Sequence, residues 1–252
     1  FSVGDAVSAS SGGTFSGNVN MGSNVTITGD LASSTSGTSN FRAGVNAGKS
    51  IASGANYNTL VGDEAGFVLT TGDDNTAVGY QSLHSHTTGI RNTALGFQSL
   101  YTNTGNFGTA LGYKALYSNT TGISNIAVGY QALNSNTTGN YNTAIGGSGL
   151  WNNTTGYYNT AVGYFAMYSN TNGLNNTAVG HNALYANTTG SNNSAVGYQS
   201  LHSTTTGIQN TAMGYHALEE NTTASNNTAF GYTTLRENTT ASNNTAFGYA
   251  TL

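Results

Sequence analysis

The stretch N-I-A-V-G-Y-Q-A-L-N-S-N-T-T-G, Asn125–Gly139, decides the fold, because close variants of it recur on both sides at a fixed step. A glycine in one slot marks each copy: Gly62, Gly79, Gly96, Gly112, Gly129, Gly146, Gly163, Gly180, Gly197, Gly214, Gly231 and Gly248. These twelve positions are separated by ten steps of 17 residues and one of 16. The short step falls at Asn103–Gly105, where N-T-G replaces N-T-T-G, so the deletion sits in a turn and spares its neighbours. A regular period of this kind marks a repeat architecture, in which each unit is stable only when stacked on the next.

A unit of 17 residues is too short for a helix pair, which takes about 30 or more. It suits one coil of a β-solenoid. The T-A-V-G segment Thr76–Gly79 reads as a strand whose alternation sets Thr76, Val78 and Tyr80 on one face and Ala77 and Gly79 on the other. N-T-T-G is turn chemistry, because Asn and Gly tolerate positive φ and Thr bonds locally to the backbone. Y-Q-A-L fits either a second strand or a single helical turn. Two slots stay apolar throughout: Val78, Leu95, Leu111, Val128 and their equivalents, and Leu83, Leu100, Leu116, Leu133 and theirs. Both are expected in a continuous core. Twelve coils at about 4.8 Å each make a rod roughly 55 to 60 Å long.

Stacking also explains the composition. Only 6% of the 252 residues are charged, against about 25% in ordinary domains. A charge used once per coil would meet its own copy above and below, whereas stacked Asn amides hydrogen-bond along the stack. Proline, which would remove a ladder donor from each coil, is absent. The absence of cysteine excludes disulfides, thiolate metal sites and thiol nucleophiles. Five basic residues against nine acidic ones offer no face for nucleic acid, and no apolar run is long enough to span a membrane.

The expected fold is therefore all-β, an elongated parallel β-solenoid or β-roll. Residues 58–252 form the 17-residue repeat rod, 40–57 a degenerate first coil, and 1–39 a strand-rich linker or adaptor with Phe15, Val19, Met21, Val25 and Ile27 as its apolar set. One such coil buries little, and the small face of Ala77 and Gly79 suits close approach by another backbone. This favours a homotrimer, with end-to-end growth into a filament as a further mode of self-association. The chain stops in mid-unit at Leu252, which calls for further protein or another subunit over that end.

The repeated word in Asn125–Gly139 and its variants resembles the repeats of tail-fibre-domain proteins of phages and bacterial surfaces. Gly13–Gly29, G-T-F-S-G-N-V-N-M-G-S-N-V-T-I-T-G, is similar to the strand-rich linker of such fibres, so the resemblance spans roughly residues 11–252. The head of trimeric autotransporters is a more distant likeness, with shorter coils. The resemblance implies a trimeric, extracellular or virion-surface fibre or adhesin stalk.

Little in the sequence suggests catalysis. Asp63–Glu64 and Asp73–Asp74 could in principle hold a cation, yet no aspartate recurs in every coil as calcium-binding repeats require, so no metal and no cofactor is expected. His84, His86, His181, His202 and His216 read as surface substitutions, with His86 in the turn. The candidate contact residues for a cell-surface glycan are Tyr80, Tyr113, Tyr130, Tyr164, Tyr198, Tyr215, Tyr232 and Tyr249, which share the slot after the glycine; Phe97 and His181 are variants there. Ring faces stack on sugars, and equally on one another between coils. Candidate N-glycosylation sites are Asn119, Asn136, Asn153, Asn187, Asn221 and Asn238 in one turn, with a second register at Asn175, Asn192, Asn226 and Asn243 and further sequons at Asn24 and Asn152. Composition alone generates such sequons here. A threonine column through Thr76, Thr93 and Thr109 could order water as ice-binding solenoids do, but Ile126 and Ser194 interrupt it. The expected role is a non-enzymatic extracellular fibre shaft; the alternative is an adhesin that uses its tyrosine-lined faces.

Overall fold

The computed structural model describes residues 37–251, so the strand-rich reading of the segment before them lies outside the described residues. Thirteen three-residue strands, β1 (Phe41–Ala43) to β13 (Thr245–Phe247), form one sheet in strict chain order, and every pairing is parallel. No helix occurs among the described residues. The fold is a β-solenoid of about a dozen coils. Each residue stacks on its own copy: Thr76 on Thr93, Ala77 on Ala94 and Val78 on Leu95, where β3 (Thr76–Val78) meets β4 (Thr93–Leu95). The 16-residue coil keeps this register, with Thr93 on Thr109. Residues 40–57 supply β1, which pairs with β2 (Thr59–Val61).

The segment after the strand is neither strand nor helix. Gly79 turns the chain at φ 132°, and left-handed conformations follow at Gln81 (φ 53°) and Leu83 (φ 49°). A non-glycine residue held there costs about 1 kcal/mol or more. The return is visible in the hydrogen bonds. Gln81 N donates to Asp63 O of the preceding coil at 2.9 Å, and Leu83 N donates to Ser99 O of the following coil at 3.0 Å. Each left-handed residue thus aims its N–H along the rod axis, and Leu83 also turns its side chain fully inward.

The core consists of three columns: the strand alanines, the leucines, and the small residues just before the leucines, such as Ala115, Ala132, Ala166, Ala183 and Ala217. Ala77, Ala94, Ala127 and their copies are completely buried, and so are Leu100, Leu116, Leu133 and theirs. The slot before the glycine is not part of it, contrary to expectation: Leu95 is 45% and Ile145 43% exposed. The coil is narrow. Its inward strand position has room only for a methyl group facing the leucine, and the two-residue alternation then sends Thr76 and Val78 outward. One coil inverts the pair. There Gly66 takes the leucine slot and Leu60 the alanine slot, and a Cβ on Gly66 would lie 2.8 Å from Leu60 Cδ2. Interior volume is conserved by exchange between these two columns. The alanine face expected to receive another backbone is therefore occupied by the coil's own leucines.

Asparagine fills the rest of the interior. In the first ladder Asn159 Oδ1 accepts from Asn176 N at 3.0 Å and from Asn176 Nδ2 at 3.2 Å, while Asn159 Nδ2 donates to Gly173 O at 2.8 Å. In the second, Asn153 Nδ2 donates to Asn136 Oδ1 at 2.8 Å and to Gly156 O at 3.0 Å. Asn142 Nδ2 reaches the same Gly156 carbonyl at 2.8 Å. In each such coil the turn glycine carbonyl thus joins the two ladders. A buried amide is tolerable only when its donors and acceptors are met, and here the coil above and the turn beside it meet them.

Two substitutions test this account. Gly129 has φ 134°, and a Cβ there would lie 2.6 Å from Gly146 O, so Gly129→Ala is expected to lower unfolding stability by about 3 kcal/mol in denaturant titrations. Thr204 interrupts the second ladder and leaves the buried Asn187 Oδ1 without a partner. Thr204→Asn restores an amide donor at that rung and should raise stability by about 1 kcal/mol; an unchanged or lower denaturation midpoint would count against the ladder.

Candidate functional site

With the interior occupied, chemistry is left to the outer columns. The eight tyrosines after the glycine all lie on the surface, stacked along the rod. Tyr80, Phe97, Tyr113 and Tyr130 form one run with ring centroids 5.2 to 5.4 Å apart. Tyr164, His181, Tyr198, Tyr215, Tyr232 and Tyr249 form a second, at 4.9 to 5.7 Å. The tyrosines of the column are all 40% or more exposed, with Tyr113 at 40% and Tyr130 at 57%. The spacing is the coil spacing, so the strand register positions the rings.

A second aromatic column, not singled out from the sequence, runs parallel to the first. Phe67, His84, Tyr101 and Tyr117 stack at 4.9 to 5.2 Å, and Trp151, Tyr168, Tyr185 and His202 at 5.2 to 5.5 Å. The signal was present four residues after Tyr80, Phe97, Tyr113, Tyr164, His181 and Tyr198 of the first column. Changing residue type there hid it: Phe, His, Tyr and Trp are one class only as stacking rings. A glutamine column lies between the two, with Gln98 Nε2 donating to Gln81 Oε1 at 2.7 Å.

The histidines divide. His84, His181 and His202 are rungs of the aromatic columns. His86 is not a surface substitution. It is completely buried, replaces an asparagine of the second ladder, and sets Nδ1 2.9 Å from Asn103 O and Nε2 2.8 Å from Gly89 O. Burial lowers its pKa, although both carbonyls oppose the shift. Burial likewise lowers the pKa of His202, against the pull of Glu219.

Ionisable groups gather into pairs. Glu64 Oε2 accepts from Gln81 Nε2 at 2.7 Å and lies 3.5 Å from His84 Nε2, and Asp73 Oδ1 accepts from Asn56 N at 2.7 Å. Near the other end Glu219 Oε2 lies 2.6 Å from both Arg236 Nε and His216 Nδ1. Among the described residues no group of three or more His, Asp or Glu is placed to hold a metal ion.

The sequon asparagines fall into two environments. Asn119, Asn136, Asn153, Asn187 and Asn221 are the buried second ladder, each with Nδ2 donating inside the stack. A glycan on those nitrogens is incompatible with that stack. Asn238 is only half-buried, at the end of the ladder. The second register, at Asn175, Asn192, Asn226 and Asn243, faces solvent.

Comparison with protein-family models, with curated proteins and with solved structures finds no match to this chain.

The His86 environment sets a pH dependence. Its folded-state pKa lies below the ordinary 6.5, so as pH falls the unfolded chain binds the proton first. Stability present above pH 6.5 is then lost from 6.5 down to the folded value, and not further on this account. His86→Asn, which restores the ladder, should flatten the acid limb of a plot of stability against pH. An acid limb of unchanged steepness in that variant would assign the loss to other groups.

Proposed function

We propose that the chain is a shaft segment of an extracellular or virion-surface fibre, non-enzymatic, holding a binding element at a distance. The observation that carries this reading is the interior. Among the described residues the coils spend their inward positions on packing and amide ladders, with none left for a substrate. The resemblance of Asn125–Gly139 and its variants to tail-fibre repeats points the same way.

Self-association as a homotrimer belongs to the same proposal, now on different grounds. The outward strand column Val128, Ile145, Val162, Val179, Val196 and Met213 is apolar in every coil and stays partly or largely exposed. Continuous apolar stripes on soluble proteins mark contact surfaces. A partner with the same coil pitch meets each side chain in register, and a second and third copy of this chain supply that pitch. A second reading, a glycan-binding adhesin, is favoured by the exposed, stacked tyrosine column.

Native mass spectrometry and electron microscopy test the shaft. Trimers of uniform width are expected, and a strictly monomeric chain at high micromolar concentration would remove the trimer. Val128→Lys with Val162→Lys places like charges on the outward column two coils apart. It should shift trimers to monomers while leaving the far-ultraviolet circular dichroism unchanged, because neither side chain is part of the core.

A further inference from the structure

The two aromatic columns break in adjacent coils. The tyrosine column misses one rung at Gly147, between Tyr130 and Tyr164, and the second column misses one at Asn134, between Tyr117 and Trp151, a coil earlier. The word there is G-G-S-G (Gly146–Gly149), where the repeat otherwise reads G-Y-Q-A. The tyrosine and the glutamine of the repeat are cut back to Gly147 and Ser148 in one coil, leaving a notch with these two residues as its floor.

The rings around the notch respond to the gap. Tyr130 and Tyr164, at 57% and 51%, are the most exposed tyrosines of their column short of the terminal Tyr249. Tyr164 leans into the gap: a Cβ on Gly147 would lie 2.9 Å from Tyr164 Cδ2. Its stack on His181 is correspondingly the loosest of the column, at 5.7 Å and 27°. Two coil steps span about 9.6 Å, so a Tyr164 returned to register leaves room between it and Tyr130 for one ring at ordinary stacking distance on both sides.

We propose that this missing rung is a binding slot for a single neutral pyranose ring, taken between Tyr130 and Tyr164. The C–H faces of a sugar ring suit the electron-rich faces of the two tyrosines. The hydroxyls at its rim suit Gln131 and Ser148, whose side chains make no hydrogen bond among the described residues. A purely aromatic ring would leave those two polar groups unmatched. Charge selects within the sugars. Residues 115–218 contain no Asp, Glu, Lys or Arg, so the three coils of the slot carry no formal charge; the nearest is Lys114, whose Nζ lies 5.4 Å over the Tyr113 ring one coil away and disfavours a cationic ligand. Binding moves Tyr164 back onto His181 and so improves a stack that is loose in the free protein.

The slot narrows the glycan-contact reading of the tyrosine column, on which it rests, to one coil. Trp151, the chain's single tryptophan, belongs to that coil and serves as the reporter. The protein is titrated with methyl α-glucoside, methyl β-galactoside and N-acetylglucosamine, following Trp151 fluorescence and saturation-transfer NMR. At least one should bind with Kd of about 1 to 10 mM, as expected for a small contact. Gly147→Tyr fills the rung with the residue usual at that slot, and should weaken binding at least tenfold without lowering the thermal midpoint. Tyr198→Gly opens an equivalent gap between His181 and Tyr215 and should raise the stoichiometry from one toward two. Sugar binding that survives Gly147→Tyr sinks the slot and keeps the wider adhesin reading. Preferential binding of indole, or no response to any of the three sugars up to about 50 mM, sinks the slot as well.

Discussion

Everything in this solenoid depends on the buried asparagine amide. A 17-residue coil is too small to enclose a wholly apolar core and still turn its corners, so its polar backbone corners fall inside. The two Asn columns answer the exposed turn carbonyls there, and each amide finds its remaining partners one coil away. A mismatched rung inside the stack leaves such a group unmet where water does not reach it, at a cost of about 1 to 3 kcal/mol. Stacking in register is thus a condition on every coil, and the sparse charge and missing proline are what that condition permits.

The strained backbone belongs to the same arrangement. Left-handed φ at a leucine recurs coil after coil, from Leu83 to Leu235. That conformation is tolerated because it serves two ends at once, turning the side chain inward and directing the N–H along the axis. The glycine before it has no such freedom. At Gly79 the backbone of the next coil passes where a Cβ would stand, with Gly96 O at 2.6 Å. One fixed slot in the repeat therefore carries the close approach on which the others are built.

Much of this was legible in the sequence, and the errors have a common cause. The period, the coil, the parallel stacking and the turn at N-T-T-G followed from spacing and residue type. The facing of the strand did not. Val78 and Ala77 were ordered by hydrophobicity, whereas the narrow interior orders them by size and admits only the smaller. His86 was misplaced for a related reason: a histidine in a turn looks like a surface residue until the turn's asparagine is found to point inward. The second aromatic column was overlooked because its rungs share a shape and not an identity. Sequence patterns gave the repeat and left open which side of it was inside.

The uniform pitch has one more consequence. A rod whose coils were all alike would present the same surface every 4.8 Å or so, and anything docked on it would slide by one step with no change in energy. Position along such a rod carries no information. The irregular coils supply it: the 16-residue step at Asn103–Gly105, Ile126 in the threonine column, Phe165 tilted against Tyr164, the Gly66 exchange. They act as graduations on a ruler, and allow neighbouring copies or bound molecules to find a single register on an otherwise repeating surface.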